Sequence, residues 1–274
     1  MRAHHRAKTI AALGIVGGMT IQASAVEVVV TITNHSKPRG IYLTPVWVGF
    51  HDGEFDLFNP GVPAAPGGGL ERVAEDGDLS VLRAEFAASD SGVAGGADGI
   101  VFAPAGFPGL PVFDPQETAS ALFEVDPAAG RYFSFVSMII PSNDAFIGNA
   151  DPMRFELFDE KGDFLGPRRI KIMGSMVYDA GTEENTEMDA AFFNQFAGNT
   201  GVTTADPVAL HPGYVGSVGN PPGTPTILGG TSIMPPGIFF SSTRADFTRP
   251  RYTLAEIVIT LADDPKAAQT EDEE

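Results

Sequence analysis

The feature that most constrains this chain is the alternation of strand-like runs with clusters of glycine, proline, asparagine and aspartate. Val26 to Thr33, Ile41 to Phe50, Ala119 to Val125, Arg131 to Ile140, Met153 to Phe158, Arg168 to Tyr178 and Arg251 to Leu261 all read as strands. Among the turns between them are Asn34 to Gly40 and Lys161-Gly162-Asp163. Pro45 interrupts the second run, which places it at an edge or a bulge. The pattern predicts an all-β, antiparallel sandwich large enough to absorb the chain as one domain, residues 26–262. Two short helices are expected, Leu70 to Glu75 and Leu79 to Ala88 with Asp78 as N-cap. Ser89 to Gly99 reads as flexible, and Thr186 to Phe196 as holding one helical turn. Gly198 to Gly237 is rich in glycine and proline and lacks periodicity, so it is expected as a long surface excursion outside the core.

The ends of the chain carry a different grammar. Arg2, Arg6 and Lys8 precede an apolar run, Thr9 to Ile21, and then Ala23-Ser24-Ala25, a small-x-small cleavage signal. This order predicts a secretory signal peptide over residues 1–25, with cleavage near Ala25. The apolar run is shorter than the roughly 20 residues that span a bilayer, and no later stretch is long and apolar enough. The expected product is secreted or periplasmic. The tail, residues 263–274, is acidic and expected to be disordered.

Without the signal peptide the chain keeps 14 basic against 35 acidic residues, a net charge of −21. Such a surface repels nucleic acid and anionic lipid and attracts divalent cations. Only five lysines are present, a balance that also suits a saline habitat. There is no cysteine, which excludes disulfides, thiol nucleophiles and thiolate metal sites. No serine sits in a nucleophile elbow, and no glycine cluster has phosphate-loop spacing.

Two segments carry the functional signal: Pro141-Ser142-Asn143-Asp144-Ala145-Phe146-Ile147-Gly148 and Tyr178-Asp179-Ala180-Gly181-Thr182-Glu183-Glu184-Asn185. Each follows a strand-like run and sets carboxylates among small or polar turn residues, an arrangement suited to oxygen ligands on loops. With strands ending at Ile140 and Tyr178 and Met153 to Phe158 running back between them, both loops fall at one end of the sheet. Carboxylates 35 positions apart can then meet. On spacing alone these are equally ordinary turn residues that hydrogen-bond their own backbone.

The same two segments resemble the N-terminal domain of the spondin family. There a strand ending in Pro-Ser-x-Asp-x-Phe-x-Gly is followed about thirty residues later by Tyr-Asp-Ala-Gly-Thr-acid. The resemblance, strongest from Arg131 to Asn185 and extending from about Val26 to Leu261, implies a C2-like β-sandwich acting in matrix binding and adhesion. It implies Ca²⁺ held by Asp144, Asp179 and Glu183. Glu183 departs from the animal pattern, which has Asp there. Three carboxylates without His or Cys favour Ca²⁺ over zinc or copper, with Thr182, Asn143, carbonyls or water completing the shell.

The expected function is a secreted calcium-binding module that binds an extracellular protein or glycan. The alternatives are an exported carboxylate-dependent hydrolase and a periplasmic structural protein in which calcium only staples the fold. Asn149 and Asp151 read as solvated turn residues, His51-Asp52-Gly53-Glu54 as surface, and His211-Pro212-Gly213-Tyr214 as plain loop. Asn34-His35-Ser36 matches a glycosylation sequon. Trp47, the sole tryptophan, reads as core.

Overall fold

The computed structural model describes residues 25–103, 111–198, 200–216 and 222–263. The expected signal peptide up to residue 24 and the acidic tail beyond 263 lie outside the described residues. The strands of the first half are β1 (Val26–Asn34), β2 (Tyr42–Leu43), β3 (Val46–His51), β4 (Ala97–Val101) and β5 (Thr118–Val125). Those of the second half are β6 (Tyr132–Ile140), β7 (Ala145–Gly148), β8 (Arg168–Met173), β9 (Tyr178–Asp179), β10 (Ala209–Leu210) and β11 (Thr253–Leu261). Helices α1 (Gly69–Asp76), α2 (Ser80–Ala88) and α3 (Asp90–Val93) lie between β3 and β4.

The strands form two antiparallel sheets, the expected all-β sandwich. The smaller runs β5-β1-β11-β8; the larger runs β10-β9-β7-β6-β3-β4, with β2 also on β6. β1 shows the alternation of a strand with one wet face: Val28, Val30, Ile32 and Asn34 are buried and the residues between them are not. β3 and β6 do not alternate, because the larger sheet is covered on both faces. On one face Val48, Phe50, Phe133 and Phe135 meet Val28, Val30 and Ile32 of the smaller sheet. On the other, Trp47, Val136 and Phe146 meet Val73, Leu82 and Phe86 of α1 and α2. Trp47 is core, as expected.

Several boundaries differ from those expected. Pro45 splits the second run into β2 and β3. Met153 to Phe158 is not a strand: Asp151 caps a turn over Met153 and Arg154, and only two isolated bridges, Tyr132↔Glu156 and Phe158↔Phe164, remain. The strand that returns beside β6 is β7. Arg168 to Tyr178 is not one strand but β8 and β9 in different sheets, joined through a 3-10 turn at Gly174–Met176. The crossing is tight, since a Cβ on Gly174 would lie 1.9 Å from the Phe247 carbonyl oxygen. Ser89 to Gly99 is ordered as α3 and the start of β4, and Gly99 lets the Phe123 ring lie directly on β4. Thr186 to Phe196 forms no helix, only a turn in which Phe193 and Asn194 N–H bond to Ala190 O, since Glu187, Asp189 and Phe192 have φ of 52°, 59° and 59°.

The segment from Gly198 to Gly237 is not outside the core. Val208 and Ile227 are buried within the two main apolar clusters, and β10 extends the larger sheet. Its anchor is Glu187, a buried carboxylate that accepts the backbone N–H groups of Gly216 and Ile227, each at 2.6 Å.

Candidate metal centre

The two acidic turns meet because β7 is very short. β6 ends at Ile140, the chain turns through 141–144, and β7 begins at Ala145, which pairs with Asp179 of β9. Asp144 therefore lies against the turn that follows β9. Its Oδ2 accepts the N–H groups of Thr182 (2.8 Å) and Glu183 (3.1 Å) and the Thr182 hydroxyl (3.3 Å). Its carbonyl accepts Ala180 N–H at 3.1 Å. Gly181 bends this turn at φ +70°, where a Cβ would strike the Asp206 carbonyl oxygen at 2.2 Å. The expectation that the Asp144 and Asp179 loops share one end of the sheet matches the fold, but β7 supplies the reversal assigned to Met153 to Phe158.

The three expected ligands are not equivalent. Asp144 and Glu183 are 0 % and 4 % exposed, and Asp144 Oδ1 and Glu183 Oε2 are buried without a hydrogen-bond partner. Asp179 lies beside them, but its Oδ1 accepts Gly181 N–H at 2.8 Å and its Oδ2 accepts the Asn185 amide. Asn143 donates to the Met188 carbonyl at 3.0 Å. A fourth carboxylate, Glu75 of α1, is 5 % exposed and lies within hydrogen-bonding reach of the same Thr182 hydroxyl. Sequence reasoning missed Glu75: it belongs to no motif, and nothing local says that α1 packs over the β7–β9 end.

The electrostatics are those of crowded, dry carboxylates. Burial and then the Asp179 charge push Asp144 up to about 7. Burial, then Glu75, then Asp144 push Glu183 up to about 8. Burial also raises Glu75. None of the ion pairs among the described residues involves Asp144, Glu183 or Glu75. As they stand, no three His, Asp or Glu side chains among the described residues surround one point closely enough to hold an ion. The two partnerless oxygens nevertheless fit a hard cation, which would answer their missing contacts and their mutual repulsion, as a proton does when they are neutral.

The long segment seals this end. Glu184 N–H bonds to Val202 O (2.9 Å), Thr204 N–H to Thr182 O (2.8 Å) and Asp206 N–H to Gly181 O (2.8 Å). Gly201 lies flat on the Glu183 carboxylate, leaving no room for a Cβ. Gly201 also lines a surface cavity of about 640 Å³ with Met188, Asn194, Val202 and Ile233.

A family model, Spondin_N, matches residues 35–200, which contain both acidic turns, Glu75 and the strands that place them. The chain belongs to the spondin N-terminal domain family. The match is shorter than the expected span from Val26 to Leu261. It omits β1, β10 and β11, although β1 and β11 form the centre of the smaller sheet. In this spondin domain the family's matched region thus needs strands from both sides of it to close the sandwich. A comparison with curated proteins gave no match.

The remaining sequence candidates are structural. His51 is fully buried rather than on the surface: its Nε2 bonds Ser134 Oγ (2.9 Å), its Nδ1 accepts Gly53 N–H (3.1 Å), and burial pushes it down to about 4. Asn149 is buried, not solvated, linking Phe135 N–H, Ser134 Oγ and Asp151 O. Asn34 of the sequon is 0 % exposed, and its amide donates to Ile41 O and Phe113 O, so the folded chain offers it to no glycosylating enzyme. His211 is half-buried beside Asp179, and burial pushes it down to about 4.

Proposed function

We propose that this chain is an exported, calcium-binding spondin module that binds an extracellular protein or glycan. Its Ca²⁺ would be held where the turn before β7 meets the turn after β9. The observation that carries the reading is the pair of buried, partnerless oxygens, Asp144 Oδ1 and Glu183 Oε2. Each such group costs about 1–3 kcal/mol, and more when charged. Asp144 and Glu183 would hold the ion, with Asp179 joining by releasing Asn185. The all-oxygen set without His or Cys suits Ca²⁺. The bound ion supplies charge neutralisation, and the chain's own residues supply the rest: Thr182 and Glu183 N–H groups orient Asp144, and Gly201 lets the backbone close over Glu183.

Burial also bears on the hydrolase alternative. Acid–base chemistry needs carboxylates that a substrate can reach, and these two are covered. That favours holding an ion over turnover. No helix among the described residues is long and apolar enough to cross a membrane. The adhesive role follows from the family, and an array of glycans and matrix proteins, probed with and without chelator, tests it.

Thermal melting tests the ion. Ca²⁺ at about 100 times its dissociation constant stabilises by roughly 2.7 kcal/mol, a shift of several degrees. EGTA should reverse it, Mg²⁺ should do less, and Asp144→Asn should remove most of the difference. Identical midpoints with calcium and with EGTA would reduce the cluster to turn formers.

A further inference from the structure

On this strongly acidic chain the basic residues are unevenly placed. Segments 37–39, 169–171 and 244–251 hold seven of the thirteen Lys and Arg among the described residues and a single acid, Asp246. The fold gathers them. Arg244 Nη1 donates to Pro38 O (3.2 Å), Tyr252 Oη donates to Arg244 O (2.7 Å) and lies 3.2 Å from Ser36 Oγ, whose hydroxyl can donate to it, and Lys171 of β8 pairs in register with Glu256 of β11.

Where they meet is a cavity of about 440 Å³, lined among others by His35, Lys37, Lys171, Arg251, Tyr252 and Glu256. The volume lies in the range of small-molecule sites. Lys37, Lys171 and Arg251 are exposed, and no described acid forms an ion pair with any of them. Glu256, the one acid in the lining, is engaged by Arg169. Arg251 has φ of 62°, a costly backbone conformation for a non-glycine residue and one often found where a side chain is held for a ligand.

We propose that this cavity binds an anionic saccharide, a sugar of one or two rings bearing sulfate or carboxylate. Three unpaired cations recognise an oxyanion by charge-assisted hydrogen bonds. Tyr252 offers the aromatic carbon surface against which a sugar ring packs. At about 440 Å³ the cavity leaves space around a lone inorganic anion that one or two sugar rings would fill. A long polyanion such as nucleic acid would reach beyond this basic cluster and be repelled by the net negative charge of the rest of the chain. The inference is independent of the calcium site.

The test is calorimetric titration of the purified chain, in EGTA, with a sulfated hexuronate-containing disaccharide, its unsulfated neutral counterpart, inorganic sulfate and a single-stranded oligonucleotide. The charged disaccharide should bind, weaken with added salt, and lose at least tenfold in affinity in Lys171→Gln/Arg251→Gln, while Arg154→Gln leaves it unchanged. All three positions are exposed, and matching melting midpoints would show that the variants fold. Absence of binding, equal loss in Arg154→Gln, sulfate binding as tightly as the disaccharide, or tighter oligonucleotide binding would each overturn the proposal.

Discussion

Asp144 and Glu183 make stability near neutral pH depend on protonation, because burial lifts their folded values, about 7 and about 8, above those of an unfolded chain. Without a cation the folded state binds more protons than the unfolded state over that interval. Stability is therefore fully present below the unfolded carboxylate values of about 4 and lost as pH rises from there until it has passed about 7 and 8, by at most about 1.4 kcal/mol per pH unit per group. His51 and His211, lowered to about 4, act with the opposite sign but only below their unfolded value near 6.5. Between pH 7 and 8 the slope belongs to the carboxylates. The chelated protein should melt lower at pH 8 than at pH 7, and the gap between calcium-loaded and chelated midpoints should widen over the same step. A gap independent of pH would remove these two groups from the site. Glu75→Gln takes away one buried negative neighbour, so it should raise the chelated midpoint while weakening calcium affinity in a titration. A substitution that lowered the chelated midpoint would argue that Glu75 is merely packed. Sequence alone named Asp144, Asp179 and Glu183, since motif and turn chemistry are local. It could not find Glu75, whose role depends on where α1 lands.

Among the elements, the segment from Gly198 to Gly237 is the one whose character the sequence hid. Its glycines and prolines suppress any periodic signal, yet Val208 and Ile227 are buried and both Glu187 oxygens are occupied by its backbone. Glu187→Ala would orphan two N–H groups, each worth about 1–3 kcal/mol when left buried. The variant should lose about 2–5 kcal/mol in a denaturant titration and become cleavable by protease within 205–235. Unchanged stability would mean that the clamp is dispensable. β1, β5, β6 and β11 were legible almost to the residue, because their composition and length are strand-like in isolation. Met153 to Phe158 was not: its apolar residues pack, but Asp151 turns the chain at its start, and pairing partners are invisible to composition.

Over the whole molecule, the sandwich and the helical cover share Trp47, which is fully buried, packs on Phe55 and Phe86, and donates to Asp98 Oδ2 at 3.0 Å. If sheets and helices unfold as one unit, the red shift of its fluorescence should coincide with the loss of far-UV circular dichroism. Separated transitions would divide the chain into two folding units. Protein recovered from its host should begin near Val26, the first residue of β1, which pairs with Val125. An intact Met1 on exported protein would defeat the secretion expectation. The sequence by itself determined the all-β class, the family and the carboxylate turns, because strand composition, turn chemistry and motif spacing are written in neighbouring residues. Only the tertiary structure decided that β8 and β9 part into different sheets, that Glu75 and Gly201 close on Glu183, and that Lys37, Lys171 and Arg251 line one cavity. These depend on which distant segments pack together, and packing is settled by burial and backbone pairing across the whole chain rather than by any local pattern.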